Sequence, residues 1–433
     1  MAVSGVGTGI SELTVIAGVA DIVPVSKRGY YTAFVTLSVL PFIPSVLWAQ
    51  LIAYSSTWRY IALFTGLWST VALVLTVLCY SPASPPPPRL EAGSEPPSTF
   101  RLFMRLDWVG GIISIAGLAC LEIGLLSGGY TAPWASPQVL VPLIFGVLFI
   151  AVFVLWEFYF ASMPILPRTL GKAPRTMIMT LLITFISGAN FFAVLMLWPS
   201  EAYNVYDHNP VGVGLRGLPF ASGTLAGCVI SLLLLSRYHG HIKWMLFGAS
   251  VLMTVGCGGL SAAKVDNMGS IYFVLFVAGL GVGGIVVPAS TITTIICPEG
   301  LFATITALTI SIRIVGGAIG YAVYFNVFVG KLVPSLQASL VEACISLGIT
   351  DKTLIGEIIG LTAISRIEVL RHLPGLEDPE KWNVVVAAGR QAYASAYPWV
   401  FYCSIAFGMV SVIASLFLED ISGLVDDHVP VEY

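Results

Sequence analysis

The chain has 433 residues, of which 57% are hydrophobic and only 10% are charged, whereas about 25% of the residues in an average soluble chain are charged. This composition excludes an ordinary soluble protein, and a net charge of −3 without a basic cluster gives no support for a nucleic-acid partner. The seven cysteines follow no paired spacing, so the sequence predicts no disulfide framework, no metal site and no cofactor. We therefore predict an all-α polytopic protein of the lipid bilayer.

Apolar stretches recur along the whole chain. The hydrocarbon core of a bilayer is about 30 Å thick and requires roughly 20 apolar residues per helix. Eleven stretches meet this requirement and predict about 11 transmembrane helices. They lie near residues 2–20, 31–53, 60–80, 108–128, 139–160, 177–199, 217–236, 244–263, 270–296, 303–328 and 397–418.

The segment 329–396 is long and of mixed composition. Parts of it, such as SLVEACISLGI (339–349), have the pattern of an amphipathic helix. Because these parts are too short to cross a bilayer, we expect 329–396 to form an external loop with short helices outside the membrane.

The distribution of lysine and arginine between the loops predicts the orientation. The loops 21–30, 81–107, 161–176 and 237–243 together hold 10 of these residues, whereas the short loops on the opposite side hold 3. Loops rich in lysine and arginine stay in the cytoplasm. The first set is therefore expected to be cytoplasmic, and with 11 spans the C-terminus is cytoplasmic as well.

Three glycines, Gly5, Gly7 and Gly9, lie near the start of the sequence in a helical apolar run. Their spacing fits neither G-x-G-x-x-G nor the P-loop, and no strand precedes them, so a phosphate site is disfavoured. Small residues allow transmembrane helices to approach closely, which predicts a packed helix face here. Gly5, Gly9 and Glu12 fall on this one face, so we expect Glu12 to point into the helical bundle.

Several segments occur in an order typical of one transporter family. They are GVGTGISELTVIAGVADIVPVSKRG (5–29), STWRYIALF (56–64), RLDWVGGIISIAGLACLEIGLLSGG (105–129), the run 197–227, SIRIVGGAIGYAVYFNVF (311–328) and the run 396–431. Together they resemble the major facilitator superfamily, in the fungal group of fourteen-span drug:proton antiporters that includes trichothecene efflux pumps and siderophore transporters. The first segment resembles the fourth helix of that group, so three spans expected before it are absent from this sequence.

The resemblance implies four regions. Residues 1–80 are expected to form the remainder of an N-terminal bundle with three spans, and 81–107 a cytoplasmic proline-rich loop. Residues 108–160 are expected to form two central extra spans, and 161–433 a C-terminal bundle of six spans that carries the external loop 329–396.

The resemblance also implies proton-coupled efflux of a small organic metabolite or toxin, in the plasma membrane or in a vacuolar or vesicle membrane. Two alternatives stay open at this point: a siderophore transporter, and a truncated fragment that does not transport. No paired catalytic carboxylates, H-E-x-x-H motif or nucleophile elbow occurs in the spans, so an enzyme is not predicted.

Polar residues inside the predicted spans are candidates for the transport site, because charges at mid-bilayer are costly and need a partner or a role. Glu12 is expected to bind a proton or a cationic substrate, or to bond a neighbouring helix. Arg313 is expected to pair with a carboxylate or an anionic substrate, or to reach the cytoplasmic surface. Asn190 is expected to contact substrate or to hold two helices together.

Three further residues lie in the loop after the first span. Asp21, Lys27 and Arg28 match the cytoplasmic gate region of the family that the chain resembles. The alternative is that they only anchor the topology of this loop.

Overall fold

In the computed structural model of the chain, the residues described are 2–79, 107–161, 173–238, 241–297 and 301–421. Within these ranges, ten helices are long and apolar enough to cross a membrane. The same residues form no β-structure except an isolated bridge between Gly128 and Ala132. The all-α polytopic fold predicted from the sequence is therefore confirmed.

The first region contains two long helices and one broken one. The helices are α1 (Ala2–Ile22), α2 (Arg28–Leu37), α3 (Ser45–Ser55) and α4 (Arg59–Cys79). The single span predicted at 31–53 is wrong, because α2 and α3 are separated by a 3₁₀ turn, Leu40–Phe42. Pro41 and Pro44 lie at this break, and proline removes a helical hydrogen bond and clashes with the preceding turn.

Two paired helices follow, α5 (Trp108–Ser127) and α6 (Pro137–Tyr159). The rest of the chain builds a bundle of six long helices. These are α7 (Pro174–Glu201), α8 (Pro210–Arg237), α9 (Ile242–Gly259), α10 (Met268–Ile296), α11 (Phe302–Ser346) and, after two short helices, α14 (Pro379–Leu416). The main buried core lies in this bundle, while large apolar side chains elsewhere are exposed, as expected for a surface that meets lipid.

The region 329–396 differs from the predicted external loop. Instead of ending near residue 328, α11 continues as one helix of 45 residues. After it come the short helices α12 (Lys352–Ala363) and α13 (Ile367–Leu370), and α14 already begins at Pro379. Apolar residues at helical spacing, including Leu332, Leu336 and Leu340, are buried against the bundle and extend its core. We call the bundle end where α7 ends and α14 begins the extension end.

Glycines allow two helix pairs of the bundle to approach each other very closely. In α8 and α10, a Cβ atom on Gly227 would meet the backbone of Leu280, and one on Gly283 would meet the backbone of Thr224. In α7 and α11, a Cβ atom on Gly188 would meet the carbonyl oxygen of Arg313. Such contacts bring backbones together as in other membrane proteins.

The close packing predicted for Gly5, Gly7 and Gly9 is not found in the described residues. A Cβ atom at each of the three would meet nothing within 4 Å. Contacts of α1 with the bundle involve its second half, where Ile16, Ala17 and Ala20 are buried. The glycine face is exposed because no described helix lies beside it.

Candidate functional site

Glu12 and Arg313 form an ion pair between α1 and α11. One guanidinium nitrogen of Arg313 donates a hydrogen bond to the Glu12 carboxylate. The Arg313 side chain is only 8% exposed, whereas the Glu12 side chain is 33% exposed. The arrangement agrees with the prediction that Arg313 pairs with a carboxylate, and it links α1 to the C-terminal bundle.

Asn190 takes part in a different contact. Its amide oxygen accepts a hydrogen bond of 2.9 Å from the hydroxyl of Tyr324, which was not identified from the sequence. Both side chains are buried at the crossing of α7 and α11. The Asn190 amide nitrogen is buried without a partner in the described part of the chain. Asn190 thus joins two helices of one bundle and has an unused donor, but it bonds neither Glu12 nor Arg313.

Several hydroxyl groups of α7, α10 and α11 are buried in the bundle. The hydroxyls of Thr293 in α10 and Thr309 in α11 lie 3.0 Å apart. The hydroxyls of Thr180, Ser290 and Thr306 are buried and have no partner among the described residues. Unsatisfied hydroxyls of this kind are sites where internal water binds. Individual threonines in apolar runs are common, so the sequence carried no signal for this group.

Arg28 lies at the bundle end opposite the extension end and connects α2 with α10 and α11. It donates hydrogen bonds to the carbonyl oxygens of Ala20 at 2.8 Å and Thr294 at 2.9 Å. Its guanidinium group also lies 4.6 Å from the ring centre of Phe302. A planar guanidinium can serve several acceptors and stack on a ring at once. Arg28 therefore connects the first region to the bundle.

The other two predicted gate residues do not join this contact. Asp21 and Lys27 are exposed, whereas Arg28 is 1% exposed. Within the described ranges, no ion pair includes Asp21 or Lys27. Of the three residues that were predicted as a group, Arg28 is therefore buried and connects helices, whereas Asp21 and Lys27 are exposed.

We expect Arg28→Lys to lower the thermal stability of the protein. Lysine carries a single ammonium group and cannot reproduce hydrogen bonds to separate carbonyls from a planar fork. Loss of a charged hydrogen bond costs about 1.5–3 kcal/mol. Thermal unfolding in detergent, followed by size-exclusion chromatography with fluorescence detection, measures the effect. Lys27→Ala is the control and should change stability by less than about 0.5 kcal/mol; equal melting temperatures for both variants would contradict the assignment.

A small cavity lies between α3, α7 and α8. Its volume is about 60 Å³, and its walls include Leu47, Val194, Trp198 and Phe220. This volume is smaller than the range of about 300–1,000 Å³ that is typical of pockets for small-molecule ligands.

Comparison with known proteins identifies related transporters. The sequence profile of the family described as fungal trichothecene efflux pump matches residues 8–433. The chain is 26% identical to the trichothecene efflux pump TRI12 of Fusarium sporotrichioides over 388 residues, which cover 88% of this chain and 63% of that protein.

Two further relatives have similar identity. The trichothecene efflux pump TRI12 of Trichoderma arundinaceum is 24% identical over 404 residues, covering 88% of this chain and 64% of that protein. The MFS-type efflux pump MMF1 of Pseudozyma antarctica is 26% identical over 423 residues, covering 96% of this chain and 72% of that protein. The chain thus spans slightly less than two thirds of the length of the two trichothecene pumps.

Proposed function

The chain belongs to the fungal trichothecene efflux pump family, and we propose that it exports a small organic metabolite or toxin across a membrane in exchange for protons. The relatives are described as efflux pumps, which favours efflux over the siderophore uptake that the sequence left open. The plasma membrane is the proposed location. The substrate class is a compact amphipathic molecule of the trichothecene kind.

One observation supports this function most strongly. Glu12 and Arg313 form an ion pair between α1 and α11, in a part of the chain that is otherwise apolar. Charged groups inside membrane spans are costly and are retained where they bind ions, protons or substrate. In alternating access, two groups of helices move against each other around a site near the middle of the membrane. A pair between the groups can open when a proton or substrate binds.

In the proposed cycle, protonation of Glu12 removes the negative charge that holds Arg313. The Glu12 carboxylate oxygen takes the proton from hydronium, water is released, and the Arg313 guanidinium is freed from the pair. Release of that proton on the other side restores the pair. Arg28 acts as the connection that holds the cytoplasmic ends together while the opposite side is accessible.

Growth of a fungal strain that lacks its own efflux pumps tests the function. Expression of the chain should raise tolerance to a trichothecene and lower the cellular content of the labelled toxin. Tolerance should be greater in acidic medium, because a steeper proton gradient drives efflux. Unchanged toxin content at every external pH, with the protein present in the membrane, would rule out proton-coupled trichothecene efflux.

The proposed orientation places the extension end outside the cell and the C-terminus in the cytoplasm. In a Cys79→Ser background, an impermeant thiol reagent added to intact cells should label Glu380→Cys, which is exposed at the start of α14. Asp427→Cys should be labelled only after the cells are permeabilised. The opposite labelling pattern would contradict the orientation.

A further inference from the structure

A buried carboxylate, that of Glu201, lies at the extension end of the bundle. Glu201 is the last residue of α7 and is followed by a π-helical turn, Ala202–Tyr206. The side chain is 1% exposed, and its Oε2 atom has no hydrogen-bond partner in the described part of the chain. Short π-helical segments occur often at functional sites, which directs attention to this turn.

Two arginines contact the turn that follows Glu201 through backbone carbonyl oxygens. Arg216 of α8 pairs with Asp207 at 4.0 Å and reaches the carbonyl oxygen of Ala202 at 3.4 Å. Arg390 of α14 donates a hydrogen bond to the carbonyl oxygen of Tyr206. Within the described ranges, Glu201 forms no ion pair. Glu201 therefore differs from Glu12, whose charge is balanced by Arg313.

Two tyrosine hydroxyl groups lie near the Glu201 carboxylate. Those of Tyr206 and Tyr397 lie within electrostatic range of it. The Tyr206 hydroxyl is buried without a partner in the described residues, while Tyr397 donates to the Ser200 hydroxyl at 2.9 Å. The other titratable groups that face these tyrosines are Tyr272 of α10, Tyr321 of α11 and Tyr393 of α14. The cation that faces Tyr206 is Arg216, whose guanidinium lies 5.9 Å from the centre of the tyrosine ring and pairs with Asp207.

His208, which lies seven positions after Glu201 in the chain, is a further titratable residue near this cluster. The Nε2 atom of His208 is buried and has no partner among the described residues, although the residue is partly exposed. Burial, and after it the positive charge of Arg390, lowers the pKa of His208, while Asp207 and Glu368 oppose this change. The imidazole is therefore neutral at neutral pH.

We propose that Glu201 is a second proton-binding site of the transporter, which takes up a proton from the side of the membrane where α7 ends. In this step a carboxylate oxygen of Glu201 forms an O–H bond with a proton delivered by hydronium, and water is released. A buried carboxylate without a counter-ion is costly, whereas the protonated form can donate to a neighbouring hydroxyl. The inference rests on the proposed proton-coupled efflux.

Two transport measurements on the full chain in proteoliposomes separate the possibilities, with a labelled trichothecene as the probe. The first is uptake driven by a pH gradient, and the second is exchange of labelled for unlabelled toxin at equal pH. Glu201→Gln should reduce gradient-driven transport to the level of protein-free liposomes and leave exchange within a factor of about two of the original chain. Glu201→Asp should retain part of the gradient-driven transport. Glu380→Gln, an exposed carboxylate at the same end, is the matched control and should behave like the original chain.

Gradient-driven transport by Glu201→Gln at the original rate would overturn the inference, and so would loss of both activities in a folded variant, which indicates a structural role. Absence of both activities in the original chain would instead count against the proposed function. The infrared spectrum provides a readout that does not depend on transport. When the spectrum of Glu201→Gln is subtracted from that of the original chain, the difference should contain the band of a protonated carboxyl group. This band should disappear at high pH. If the difference spectrum lacks this band at every pH, Glu201 does not bind a proton.

Discussion

Neutralising Glu12 alone is expected to destabilise the protein more than neutralising Arg313 alone. Removal of one partner from a buried ion pair leaves an uncompensated charge, at a cost of about 3–5 kcal/mol when both groups are buried. Glu12→Gln leaves the Arg313 guanidinium, which is 8% exposed, without its carboxylate. Arg313→Gln leaves a carboxylate that is 33% exposed, so its cost is smaller. The double variant Glu12→Gln, Arg313→Gln should be closer in stability to the original chain than Glu12→Gln is.

All three variants are expected to lose transport driven by a pH gradient, because none of them retains a pair that a proton can open. Melting temperature in detergent and toxin uptake in proteoliposomes give the two readouts. The exposed pair Arg175 and Glu419, at 3.5 Å, is the matched control. Its neutralisation should change stability by no more than about 1 kcal/mol and leave transport intact. Equal stability of the two single variants would show that exposure does not govern the cost.

The helical architecture could be predicted from the sequence because length and apolar content alone identify a spanning helix. Two features could not. The break between α2 and α3 depends on how Pro41 and Pro44 are accommodated, and proline is tolerated in many membrane helices. The extension of α11 to Ser346 depends on burial of Leu336 and Leu340 against neighbouring helices. A pattern within one segment does not show whether another segment covers it.

The candidate site was predictable only in part for a similar reason. Glu12 and Arg313 are conspicuous because a charge in an apolar run is rare, and their contact follows from the need to balance it. Tyr324, the partner of Asn190, lies in a run of aromatic residues where nothing distinguishes it. Glu201 follows the predicted span 177–199, where a carboxylate normally meets water. In the structure α14, which lies much later in the chain, packs against α7 and the turn Ala202–Tyr206 at this end of the bundle.

Alanine substitutions at glycines in the α8–α10 contact are expected to lower the stability of the protein, whereas the same substitution at glycines outside it should not. A Cβ atom on Gly227 would meet the carbonyl oxygen of Leu280, and one on Gly283 would meet that of Thr224. Both neighbours are backbone atoms, which cannot rotate away, so the two helices must separate along their contact. We expect Gly227→Ala and Gly283→Ala to destabilise the protein by about 1–3 kcal/mol each. Because both lie on one seam, their effects should not be additive.

Gly217 and Gly248 are the matched controls, because a Cβ atom on either would meet nothing within 4 Å. Alanine is favoured over glycine in a helix by about 1 kcal/mol, so Gly217→Ala and Gly248→Ala should leave stability unchanged or raise it. Melting temperatures of the four variants decide between the two effects. If all four rise, helix propensity dominates and the seam is looser than the structure shows. If Gly227→Ala and Gly283→Ala fall while the controls do not, the close approach of the two backbones accounts for glycine at these positions.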